Sequence, residues 1–100
     1  MIRGTTPTHV FTLPFDTSEV KEVLITYAQK EKVLFEKATA DCTLSENKVI
    51  VDLTQEETFE FDCTHSGQVQ IRVMKTNGKV FASVVKKIDI ETCLSKEVLK

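Results

Sequence analysis

The dipeptide Asn77-Gly78 sits between two runs rich in β-branched residues, 69–76 and 79–90. Both residues tolerate the positive φ that a two-residue type I′ loop requires, so the pair predicts an antiparallel hairpin over residues 69–90. With that loop the register is set: Thr76 opposes Lys79, Val73 opposes Ala82 and Ile71 opposes Val84. Ile71 and Val73 then share one face with Ala82 and Val84. The other face carries Met74, Phe81 and Val85 together with Gln70, Arg72 and Ser83. On an antiparallel sheet with one solvated side that outer face should be polar. Met74 opposite Phe81, with Val85 beside them, is therefore a candidate patch for binding a partner.

Upstream, the same period of two recurs. His9, Phe11, Leu13 and Phe15 alternate with Val10 and Thr12, which predicts a first strand ending near Pro14. Asp16-Thr17-Ser18-Glu19 has capping-box spacing, but strand-like sequence follows too soon for more than one helical turn. Val23, Ile25 and Tyr27 alternate with Leu24, Thr26 and Ala28; residues 29–32 read as a turn and residues 33–37 as the returning strand. Residues 42–45 and 48–53 flank Glu46-Asn47, a two-residue loop that sets Leu44 opposite Val49 and Cys42 opposite Val51. Thr54-Gln-Glu-Glu57 is a capping box opening a short helix, after which Phe59 and Phe61 close the end of the core.

About seven short strands with turns every 8–12 residues and no long helix are the pattern of a two-sheet sandwich. The expected fold is all-β: an immunoglobulin-like two-sheet sandwich with one short helical turn near residues 55–60, a small barrel being the alternative. The antibody-type Cys…Trp…Cys core is absent, because the chain has no Trp. Residues 1–90 form the expected domain and residues 91–100 a C-terminal tail.

Size and charge narrow the function classes. One hundred residues support one core and not two. A formal net charge of −2 provides no long-range attraction for nucleic acid or anionic lipid, so neither is expected as a partner. No transmembrane run and no signal-peptide layout is present, so the chain is expected to start life in the cytoplasm. Three widely spaced cysteines, Cys42, Cys63 and Cys93, are expected to be free thiols, buried or half-buried, in that setting.

Catalytic chemistry needs convergent titratable groups. Cys63 and His65 are the nearest thiol–imidazole pair, but they lie in an apparent turn with no glycine-rich oxyanion loop beside them. The same two residues with His9, Cys42 and Cys93 lack the paired spacing of a structural zinc site. Glu56, Glu57, Glu60 and Asp62 cluster where the helix N-terminus favours negative charge. Phosphate-loop, dinucleotide and calcium-loop motifs are missing. The expectation is a protein that is not an enzyme and uses no cofactor and no metal.

The opening residues Arg3-Gly4-Thr5-Thr6-Pro7-Thr8-His9-Val10-Phe11-Thr12-Leu13, then Pro14-Phe15-Asp16, the segment Leu53-Thr54-Gln55-Glu56-Glu57-Thr58 and the closing Asn-Gly hairpin together resemble small proteins encoded in prophages and mobile elements of Firmicutes. The layout is also similar to the N-terminal immunoglobulin-like domain of the baseplate upper protein of lactococcal siphophages. The resemblance implies a structural part of a phage tail or baseplate, or a virion decoration module, located in the virion or in the host cytoplasm before assembly, that works through contacts with other phage structural proteins, self-association included. The alternative is a small host-surface binding module for carbohydrate or peptide. The resemblance carries over no active-site residue.

Overall fold

Three hairpins build the molecule, and each is closed by a different turn. The computed structural model describes residues 1–95 and 97–99. Lys30-Glu31 joins strands β2 (Val20–Gln29) and β3 (Lys32–Ala38), with φ of 55° and 63°. Two successive left-handed residues are the type I′ geometry, reached here without glycine or asparagine because strand pairing on both sides enforces it. Glu46-Asn47 joins β4 (Cys42–Ser45) and β5 (Lys48–Asp52), and Glu46 alone takes the left-handed φ, 53°. Leu44 faces Val49 and Cys42 faces Val51, the pairing expected from the alternation.

The Asn77-Gly78 hairpin departs from expectation. Lys75 pairs with Lys79, so the loop joining β6 (Gly67–Lys75) to β7 (Val80–Ala82) is residues 76–78, three and not two. Lys75 N–H donates to the Lys79 carbonyl (2.8 Å), Gly78 N–H to the Lys75 carbonyl (2.9 Å), and only Gly78 has positive φ, 87°. That is a type I turn followed by a left-handed glycine. Thr76 is held outside the ladder by its N–H bond to the Glu19 carbonyl (2.8 Å), and Asn77 Oδ1 accepts from Lys79 N–H (3.0 Å). The register is displaced by one residue, so Val73 faces Phe81 and Arg72 faces Ala82. A displacement of one exchanges the faces. Phe81 turns to the core side, edge-on to Phe15 with ring centroids 5.7 Å apart, and Val84 is left exposed. The slip places the larger apolar side chain inside, which burial favours.

Strand β1 (Thr8–Thr12) completes a three-stranded antiparallel sheet, β1-β5-β4. The second sheet runs β3-β2-β6-β7, and β8 (Lys86–Ile88) also pairs with β6. β7 and β8 form one interrupted edge strand. Pairing shifts by one residue across the break, since Arg72 faces Ala82 but Val69 faces Lys86. Ser83 holds the break: its N–H donates to the Ile71 carbonyl (2.9 Å), its Oγ accepts from Ile71 N–H (3.2 Å), and its carbonyl accepts from the Gln70 side chain (2.9 Å). The chain is an all-β sandwich. Its strand order is that of an immunoglobulin-like sandwich in which, among the described residues, no strand pairs with β1 on the side away from β5.

Inward positions follow the period of two. Val23, Ile25 and Tyr27 of β2, Val69, Ile71 and Val73 of β6, and Val49 and Val51 of β5 are buried with Leu13, Leu53 and Phe61. Each such aliphatic side chain contributes roughly 1.5–3 kcal/mol on burial. Between the sheets runs the short helix α1 (Gln55–Phe59), opened as expected by reciprocal bonds: Glu57 N–H to Thr54 Oγ1 (3.1 Å) and Thr54 N–H to Glu57 Oε1 (2.8 Å). Thr58, fully buried, accepts from Gly4 N–H (2.9 Å) and ties the N-terminal segment to the helix. Gly4 has φ 79°, and a Cβ there would stand 2.6 Å from Phe59 Cζ, so only glycine fits. The segment after β8 stays attached through its backbone: Ile2 bridges Glu91 in parallel, and the Gln55 side chain both donates to and accepts from the backbone of Leu99 (2.9 Å each).

Candidate functional site

On the four-stranded sheet, the residues that alternate with the core face outward. They are Glu22, Leu24, Thr26 and Ala28 on β2, Gln68, Gln70, Arg72 and Met74 on β6, and Val80 and Ala82 on β7. This face holds two shallow depressions separated by Arg72. Leu24, Met74 and Val80 line the first with Glu22, a hollow of about 180 Å³; Ala28 and Val85 line the second with Thr26, Gln68 and Gln70. Val80 and Val85 are both more than half exposed.

Of the three patch residues expected from sequence, Met74 and Val85 lie on this face and Phe81 does not. Phe81 was placed opposite Met74 by a two-residue loop; the three-residue loop sets Val80 opposite Met74 and turns Phe81 inward. Leu24, Ala28 and Val80 are the apolar members missed. The β2 alternation of Leu24 and Ala28 with Val23, Ile25 and Tyr27 carried the signal, because it makes both faces of that strand apolar.

Elsewhere the reactive groups are dispersed. Asp62 organises the loop after Phe61: its carboxylate pairs with Lys30 Nζ (2.6 Å) and accepts from Thr64 N–H (3.0 Å) and Thr64 Oγ1 (2.7 Å). The Lys30 ammonium first, then Thr64, hold that carboxyl well below the usual range. His65 is exposed, with Nδ1 2.8 Å from Thr64 Oγ1, and Cys63 is an exposed free thiol rather than the buried or half-buried one expected, because it sits on the loop after Phe61 and not on a strand. Cys42 is half-buried, and burial raises its thiol pKa, which disfavours a thiolate. Among the described residues no three His, Cys, Asp or Glu side chains converge on a point that could hold a metal ion. No helix among them is long and apolar enough to cross a membrane.

A polar contact crosses the core from one sheet to the other. His9 Nδ1 on β1 lies 2.7 Å from the Tyr27 hydroxyl on β2, and Tyr27 is completely buried, so it contributes to no surface platform for sugar. Tyr27 stacks on Phe35 with centroids 4.8 Å apart, and burial pushes its phenol pKa far up. Burial, then the Met1 ammonium, lowers the pKa of His9 from its ordinary 6.5. The unfolded chain therefore binds a proton that the folded one resists. Stability from this pair is full above pH 6.5 and is lost as pH falls through the lowered folded value. The urea midpoint is expected to drop as pH falls below about 6.5, and His9→Gln to flatten that slope; an unchanged slope in the variant would assign it elsewhere.

No family model, no curated protein and no solved structure matches this chain.

Proposed function

We propose that this protein is a non-catalytic contact module that docks onto another protein through the outer face of the four-stranded sheet. The observation that carries the reading is the makeup of that face. Leu24, Ala28, Met74, Val80 and Val85 form an apolar strip around Arg72, edged by Glu22, Gln68 and Gln70. An apolar centre with Met and Arg and a polar rim is how protein interfaces are composed. The resemblance of the chain to prophage-encoded proteins supplies the setting: the partners are other structural proteins of a phage tail or baseplate, bound without cofactor, nucleic acid or membrane.

Co-expression with the products of the flanking genes tests this directly. A stable complex with a neighbouring structural protein is expected, and Met74→Asp with Val80→Asp should weaken it at least tenfold, since truncated or charged central contacts cost about 1.4 kcal/mol or more. Both residues lie outside the core, so the double variant should keep its melting temperature within a few degrees. Binding that survives the double variant would rule this face out, and failure of every neighbouring product to bind would end the tail or baseplate reading.

A further inference from the structure

The three-stranded sheet ends on β1, whose only strand partner among the described residues is β5. The bonds continuing this ladder at both ends set its phase: Leu53 N–H donates to the Pro7 carbonyl (3.0 Å) and Leu13 N–H to the Asn47 carbonyl (2.7 Å). In an antiparallel pair the bonded positions recur at every second residue. His9 and Phe11 therefore turn their backbone groups toward β5, and Thr8, Val10 and Thr12 turn theirs away. Three N–H and three C=O groups stand in register along the place where an immunoglobulin-like sandwich carries its first strand.

Edge strands are ordinarily guarded by charge, proline, bulges or shortness. β3 carries Lys32, Glu36 and Lys37 and a register shift, β7–β8 is interrupted, and β4 has four residues. β1 is Thr-His-Val-Phe-Thr, with no Lys, Arg, Asp, Glu or Pro.

We infer that β1 pairs antiparallel with β1 of a second copy of this chain, about a two-fold axis at Val10, joining two three-stranded sheets into one of six strands. The edge is built for that occupant. Under the two-fold, Val10 faces Val10 and Thr8 faces Thr12, so the outward amides and carbonyls of each copy meet those of the other. On the outer side, Val10 is paired with Ile50 within each copy, and the dimer's central row becomes Ile50-Val10-Val10-Ile50, four β-branched side chains in line. The flanking rows sort charge: Lys48 beside Thr12 shares its row with Thr8 and Asp52 of the second copy, so each of the two flanking rows holds one base and one acid. On the inner side, the half-buried His9 and Phe11 each gain the other's counterpart across the axis, closing the open flank of the core. An isologous contact uses one patch twice, and a palindromic Thr-x-Val-x-Thr edge suits it; a strand donated by a different protein has no use for the symmetry.

Sedimentation from about 10 µM to about 1 mM, a range that captures weak contacts, should show mass rising from monomer to dimer. Hydrogen exchange should slow at the Thr8, Val10 and Thr12 amides as the dimer fills. Val10→Lys and Val10→Glu each place like charges opposite one another and should weaken self-association at least tenfold, while an equimolar mixture of the two should pair again. Val10 is 54% exposed, so circular dichroism should show both variants folded. A monomer throughout the range overturns the inference, as does a dimer indifferent to Val10→Lys. A dimer that Met74→Asp dissolves and that leaves the β1 amides unprotected also overturns it, and locates self-association on the outer face of the larger sheet instead.

Discussion

Phe61→Ala should destabilise the protein by about 3–5 kcal/mol, the range for emptying a buried aromatic site, and lower the melting temperature by roughly 20 °C in a domain of this size. Phe61 has no exposed surface. It meets Tyr27 and Phe35 edge-on, with centroids 6.4 Å and 5.9 Å away, and its Cε1 lies 2.7 Å from where a Cβ on Gly67 would be. Its walls are β2, β3 and β6, whose ladders keep them from collapsing into the space. Thermal unfolding by circular dichroism gives the number, with Phe61→Leu expected to fall between wild type and alanine. A loss below about 1 kcal/mol would mean that the segment from α1 to β6 closes over the gap.

Gln29→Leu is the second large effect, at about 3 kcal/mol. Gln29 is buried at the end of β2 and spends its whole amide on the loop that follows Phe61. Nε2 donates to the carbonyls of Asp62 and His65 and Oε1 accepts from Asp62 N–H, each at 2.8 Å. Leucine has nearly the same volume but leaves all three backbone groups without a partner. The stability loss should come with faster amide exchange confined to residues 62–66, whereas Gln29→Glu, keeping one acceptor, should retain part of the protection. Loss of stability without local exchange would mean that the amide acts through core packing alone.

The sheets were legible because apolar residues alternate along β2, β5 and β6 and because each capping or turn signal stood where a strand had to end. Thr54 and Glu57 predicted α1, and Glu46-Asn47 predicted the β4–β5 pairing. The turn types were not legible. Asn77-Gly78, the strongest type I′ signal in the chain, forms a three-residue loop, whereas Lys30-Glu31, with no such signal, forms the type I′ turn. The reason is tertiary: Thr76 is bonded to Glu19, and burying Phe81 against Phe15 outweighs the local preference of the dipeptide. That single-residue displacement also decides the candidate site. It removed Phe81 from the outer face and placed Val80 beside Met74, leaving the rest of the expected patch in position. The open edge at β1 was hidden for a different reason, since which strand lacks a neighbour depends on strand order and no local pattern encodes it.

The parallel bridge of Ile2 with Glu91 and the clasp of Gln55 on Leu99 bring both ends of the described chain to the α1 end of the sandwich. The opposite end is stitched together by loops: Thr17 N–H and Oγ1 bond the Glu46 carbonyl (2.6 and 2.7 Å), and Thr76 N–H bonds that of Glu19. The molecule thus has a polarity of attachment. Anything fused ahead of Met1 hangs from the α1 pole, away from the loop pole, so a tether there can report on contacts made at that far end without shielding them.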